Sequence, residues 1–264
     1  MTEQINLTAR TVVTLPTAQA NITRFWAIAD THLSFAKPLD MDKFGERWQN
    51  HVERIELNWR ERVAPTDVVL LPGDVSWAQS TSRIYPDLQW LRTLPGRKVL
   101  LRGNHDHWWK GIDKVRKIVE PMGFYALEGD SITIDGVVIC GAMGHMAPHD
   151  PHYKEDPKKD RYNRELSRLR EALEHGTQAR QNEQGESKPL LLMMHYPPVT
   201  AHGERTAYLD LISAYQPTLC AYGHLHHSKE WEIACKGMVE GVNYELVAAD
   251  YLDMAPCLLW TVQH

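Results

Sequence analysis

The sequence is poor in the features that fix a protein's class cheaply. Of its 264 residues only four are cysteine (Cys140, Cys220, Cys235 and Cys257), widely spaced and with no Cys-x-x-Cys pair. That excludes a disulfide framework and a thiolate zinc site, and it predicts reduced, buried thiols in a cytoplasmic protein. Long hydrophobic runs are missing as well. The run Leu190 to Met194 falls far short of the roughly 18 residues a membrane span requires. Met1 to Ala20 is polar and Thr-rich and lacks the apolar stretch of a secretory leader. There is no basic excess: 29 Lys and Arg stand against 34 Asp and Glu, a formal charge of −5, so net charge does not indicate nucleic acid as a partner. What is present is an ordinary globular composition, 43% hydrophobic, in a chain long enough to bury a sizeable core without staples.

From residue 22 onward, short apolar runs alternate with amphipathic stretches. Strands are expected from Ile22 to Ala29, Val68 to Leu71, Lys98 to Leu101, Leu190 to Met194 and Thr218 to Tyr222, and again over Tyr244 to Ala248 and Leu258 to Val262. Ser131 to Ile134 and Val137 to Cys140 flank Asp135-Gly136, a hairpin signature. The stripe Phe44, Trp48, Val52, Ile55, Trp59, Val63 predicts one helix over Met41 to Val63. Shorter helices are expected over Pro86 to Leu94, Gly111 to Val119 and Thr206 to Tyr215. The segment 148–188 is polar and reads as a surface insertion. It carries one helix from Arg161 to His175 capped by Gly176, followed by a mobile loop over Thr177 to Lys188. The whole is expected to be a single α/β (α+β) domain with an extension over residues 1–20.

Five polar clusters interrupt this pattern, each after an apolar strand: Asp30-Thr31-His32, Gly73-Asp74, Gly103-Asn104-His105-Asp106, His195, and Gly223-His224-Leu225-His226. The C-terminal ends of strands are where α/β sheets build their sites. In extended backbone, residues two apart face the same way, so Asp30 can converge with His32 and His224 with His226. The clusters supply carboxylate, imidazole and amide oxygen, a donor mix that suits Mn2+, Fe or Zn2+.

In this order and spacing, the set resembles the calcineurin-like metallophosphoesterases over Asp30 to His226. The resemblance implies a four-layer αββα sandwich, two mixed sheets flanked by helices, with a dinuclear centre at one sheet edge. It implies that Asp30, His32 and His226 hold one metal, that Asn104, His195 and His224 hold the other, and that Asp74 bridges them. It makes His105 the group that protonates or hydrogen-bonds the leaving oxygen. The activity implied is hydrolysis of a phosphomonoester or phosphodiester by a hydroxide bridging the two metals, on a small-molecule or nucleotide phosphate ester. The alternative is a catalytically silent scaffold of the same fold, and the filled ligand positions favour the enzyme.

One departure stands out. Val75-Ser76-Trp77-Ala78 occupies the place of the Asp-Arg-Gly run of the family's protein-phosphatase branch. Trp77 is expected neither to orient the histidine nor to grip phosphate, which argues against a phosphoprotein substrate and leaves the partner of His105 unassigned. Trp108, Trp109 and His145 are the candidates for contacting substrate, the tryptophans by stacking on a flat leaving group.

Overall fold

The computed structural model describes residues 22–154, 160–181 and 187–264. The expected extension over residues 1–20 and most of the expected loop beyond Gln181 lie outside them. Among the described residues, eleven strands form two sheets. Five of them, β1 (Ile22–Ala27), β2 (Val68–Pro72), β3 (Arg97–Leu101), β4 (Phe124–Leu127) and β11 (Cys257–Gln263), make a sheet ordered β11-β1-β2-β3-β4. Within it β1 to β4 run parallel and β11 pairs antiparallel with β1. The other six are β5 (Asp130–Ile134), β6 (Val137–Ala142), β7 (Leu190–Met194), β8 (Leu219–Tyr222), β9 (Gly237–Val239) and β10 (Val242–Leu246). They are ordered β5-β6-β7-β8-β10-β9, with β5 and β9 antiparallel at the two edges.

The period of two in the strand sequences builds three apolar layers. Phe25, Val68, Leu70 and Val99 of the first sheet meet Ile139, Leu191, Met193 and Ala221 of the second in a central core. The alternate residues Trp26, Val69, Leu71 and Leu100 face outward onto helices α1 (His51–Arg62), α2 (Tyr85–Thr93) and α3 (Ile112–Val119). On the far side Val138, Cys140, Leu192 and Tyr222 face α4 (Arg161–Arg180) and α5 (Ala207–Tyr215), where Trp231 of α6 (Ser228–Ile233) joins them. Strands buried on both faces read as continuous apolar runs, and that is how these runs appear in the sequence. The αββα sandwich is therefore the architecture.

Two segments differ from expectation. Met41 to Val63 is not one helix: Gly45 (φ 118°) and Asn50 (φ 51°) break it into two short 3₁₀ turns and α1. The break turns Phe44 out to 55% exposure while Trp48 stays buried. Gly176 does not cap α4 but sits inside it, because a Cβ there would stand 2.7 Å from Leu190 Cδ1. The missing side chain lets the helix press onto the sheet. With Leu169, Ala172 and Leu173 in the core, α4 is a layer of the sandwich, not an addition to its surface. The hairpin at Asp135-Gly136 forms as expected, both residues at positive φ. Strands β4 and β9 and helix α6 had no expectation attached to them. All four cysteines are free thiols, but only Cys140 and Cys220 are buried as expected; Cys235 and Cys257 are half-buried. No helix among the described residues is long and apolar enough to cross a membrane.

Candidate metal centre

The five polar clusters meet at one edge of the sandwich. Asp30 and His32 follow β1, Asp74 follows β2, Asn104 and His105 follow β3, His195 follows β7, and His224 and His226 follow β8. They do not converge through a pleat. Asp30 (φ 58°), His32 (φ 45°), Asp74 (φ 50°) and His224 (φ 74°) all lie in the left-handed region, which costs a non-glycine residue about 1–2 kcal/mol. After β1, β2 and β8 this left-handed backbone replaces the pleat, and such strain persists only where the surroundings enforce it. The glycines in the motifs have a related cause. A Cβ on Gly103 would collide with the Asp74 carboxylate, and one on Gly223 with that of Asp30.

Asp30, His32 and His226 present ligand atoms within 4.8 Å of one another, and so do Asp30, Asp74 and His195. Asp74 Oδ1 accepts the His105 backbone N–H at 2.7 Å, which aims Oδ2 between His32 Nε2 (3.9 Å) and His195 Nε2 (3.4 Å). His195 lies near the Pro72 carbonyl through Nδ1 (3.1 Å), so a neutral ring donating there turns the Nε2 lone pair toward Asn104 Oδ1 (2.7 Å) and Asp74 Oδ2. His224 Nδ1 stands 3.3 Å from that same Nε2. Acceptors facing one another in a dry site repel unless a cation or a proton lies between them. Moreover, Asp30 Oδ1 and Asp74 Oδ2 are buried without a hydrogen-bond partner. Buried polar atoms are rarely left so, and these oxygens fit divalent cations.

The electrostatics carry the same message. Burial raises Asp30 to about 7, against the pull of His226 and His195. Burial also opposes ionisation of Asp74, but His195, His32 and His105 hold its carboxyl well below the usual range. In His195 and His226 burial favours the neutral ring and is outweighed by carboxylates, Asp74 and Asp30 for the first and Asp30 and Asp250 for the second, which raise each to about 9. His32 and His224 are pushed below the ordinary imidazole value by burial. Without cations the cluster holds protons in their place.

Three further residues support the set: Asp250, to which no expectation was attached, and Asp106 and Trp77, which stand beside expected site residues in the sequence. Asp250, buried beyond β10, lies 3.0 Å from His226 Nδ1 and turns Nε2 of that ring toward Asp30. Asp106 accepts from the Gly103 N–H (2.8 Å), the Ser76 N–H (3.1 Å) and Trp108 Nε1 (2.9 Å), tying the loop after β3 to the loop after β2. It makes no hydrogen bond to the His105 ring. That ring packs instead on Trp77, with centroids 4.4 Å apart, and Trp77 also stacks on His32 at 4.8 Å. The expectation that Trp77 has no part in orienting His105 is thus corrected: ring contact does what a hydrogen bond does elsewhere.

Trp108 and Trp109 are not at a substrate surface. Both are buried in the core under the first sheet's helices, with indole N–H groups committed to Asp106 and to Glu128 (2.9 Å). His145 does line a cavity, beyond His224, and packs on Tyr196 at 5.5 Å. Another cavity of about 300 Å³ opens over His32, Asp74, His105 and His226, walled by Trp48 and Trp77.

Among known proteins, Gene 66 protein of Mycobacterium phage D29 is 37% identical over 82 residues, 31% of this chain and 39% of the phage protein. Its counterpart in phage L5 is 28% identical over 81 residues, with the same coverage. The chain thus spans 39% of the length of these curated relatives. In fold, it is similar to a phosphopantetheinyl hydrolase of Mycobacterium tuberculosis, with a TM-score of 0.53 at 16% identity, covering 91% of this chain and 96% of that one. Residues 23–228 match the calcineurin-like phosphoesterases, the family to which this chain belongs.

Proposed function

We propose that the chain is a phosphohydrolase that cleaves a phosphate ester with two divalent cations. The observation that carries this is the orphaned Asp74 Oδ2, buried between the imidazoles of His32 and His195 where the two ligand sets meet. Asp30, His32 and His226 would hold one cation; Asn104, His195 and His224 would hold the other; Asp74 would span them. When bound, such a pair supplies Lewis acidity toward phosphoryl oxygens and acidifies water. Donors of oxygen and nitrogen without thiolate suit Mn2+, Fe or Zn2+.

The remaining work falls to the protein. Asp74 fixes the backbone of His105, and Trp77 fixes its ring at the wall of the cavity over the centre. From there the imidazole can hold a proton at the leaving oxygen, the step in which a positioned acid helps most. The lack of an arginine where the protein-phosphatase branch carries one supports a small-molecule or nucleotide ester as substrate, and the four free thiols support a cytoplasmic setting.

The test is release of nitrophenolate from 4-nitrophenyl phosphate and bis(4-nitrophenyl) phosphate by Mn2+-loaded protein, lost on chelation and regained on reloading. Protein that binds about two equivalents of Mn2+ yet turns over neither ester would be a scaffold of this fold.

A further inference from the structure

Two cavities, each of about 300 Å³, flank His224 of the proposed centre, and His224 and His227 line both. The first contains the His105 ring and has an apolar, largely aromatic wall of Met41, Phe44, Trp48 and Trp77. The second lies on the far side of His224, behind Tyr196, whose ring packs on that imidazole at 4.2 Å. Its wall is mostly apolar, with Met146, Pro197, Val199, Ala201 and Ile233. Its two carboxylates are already engaged. Asp150 accepts the backbone N–H groups of Ala201 (2.7 Å) and His152 (2.8 Å), and Glu230 accepts those of His226 (3.1 Å) and His227 (3.0 Å). No Lys or Arg among the described residues lines either cavity.

A phosphomonoester has one organic arm and carries between one and two negative charges near pH 7. A phosphodiester has two arms and one charge. A centre flanked by two mostly apolar cavities, with no Lys or Arg of the described residues in either wall to meet extra charge, matches the second. We propose, resting on the hydrolytic reading above, that the substrate is a phosphodiester with two organic arms free of further phosphate, one seated in each cavity. Because His105 lines the first cavity, the arm held there is the one that leaves. Water oxygen joins phosphorus, the P–O bond on the His105 side breaks with its electron pair, and the leaving oxygen takes a proton. The products are the alcohol of the first arm and the phosphomonoester of the second.

The experiment compares kcat/KM of Mn2+-loaded protein for three probes: 4-nitrophenyl phosphate, methyl 4-nitrophenyl phosphate and bis(4-nitrophenyl) phosphate. The bis ester is expected to exceed the monoester by about tenfold or more, the size of effect a filled apolar pocket gives. Ala201→Phe, and independently Ala234→Phe, place a ring in the second cavity. Each is expected to lower the ratio of bis ester to methyl ester by about fivefold or more. Monoester turnover equal to or faster than that of the bis ester overturns this inference and leaves the hydrolytic reading standing. A ratio unmoved in both variants overturns the assignment of the second cavity. Nitrophenolate released from none of the three overturns the hydrolytic reading, and the inference with it.

Discussion

The loops that follow the first sheet and those that follow the second contribute different chemistry to one centre. The first supplies both carboxylates that face the cations' expected positions, the amide of Asn104, the imidazole of His32 and the non-ligand imidazole of His105. The second supplies imidazoles alone, His195, His224 and His226, with Asp250 behind the last of them. In the proposed centre, negative charge and the proton donor would thus come from one half of the chain, and neutral donors from the other. The contrast teaches that, on the proposed ligand assignment, charge is concentrated where one residue would serve both cations, while the rings would divide between them.

The sharpest way to break this comparison is to substitute one residue on each side. Asp74→Ala should lose both cations and reduce turnover by about 10³-fold or more, whereas His195→Ala should keep close to one equivalent; metal analysis of purified protein reads the difference. If both variants keep the same metal content, the spanning role of Asp74 is wrong. His105→Ala should keep both cations and lose about 10²–10⁴-fold in kcat, since the ring is placed to act on the leaving group and not to hold metal. Asp250→Asn should weaken metal affinity by about 10–100-fold, seen in competition with a chelating dye, with most of the loss at the cation held by His226.

The smallest effect expected is a pH dependence of the metal-free protein. His195 and His226, raised to about 9 in the fold, contribute stability that is complete below their ordinary imidazole range and lost as pH rises through 9. Asp30, raised to about 7, contributes stability that is lost as pH rises through 7, the same direction at the lower end of that interval. The melting temperature after chelation should therefore fall between about pH 6.5 and 9, while the loaded protein, whose rings are deprotonated already, should change little. A loaded protein that tracks the metal-free one would argue against imidazole ligands.

Much of this was legible in the chain and some was not, for identifiable reasons. The double-faced burial of β2, β3 and β7 makes their apolar runs unmistakable, and the polar residues that end them mark the edge where the site lies. The left-handed backbone of Asp30, His32, Asp74 and His224 carries no such mark, because its cause is crowding from loops distant in sequence. The same blindness to depth put Trp108 and Trp109 at a pocket wall. Whether an indole beside a motif faces outward depends on how the loop folds back, and here Asp106 pins that loop inward. Asp250 bore a usable sign, a charged residue just past a strand-like run, but stood alone without the glycine or histidine that flagged the others. Met41 to Val63 shows the limit of periodicity: an apolar stripe persists across a break that Gly45 and Asn50 make sterically easy.

The division of ligands between the two sheets has a mechanical consequence. Each proposed cation takes side chains from both halves of the sandwich, Asp30 and His32 with His226 for one, Asn104 with His195 and His224 for the other. The ions would act as rivets across the seam where Phe25 and Val99 meet Ile139 and Leu191. Chelating them would loosen cohesion between two slabs of the molecule as well as silence the loops above, so that occupancy at the rim and slow opening of the interior become a single linked equilibrium.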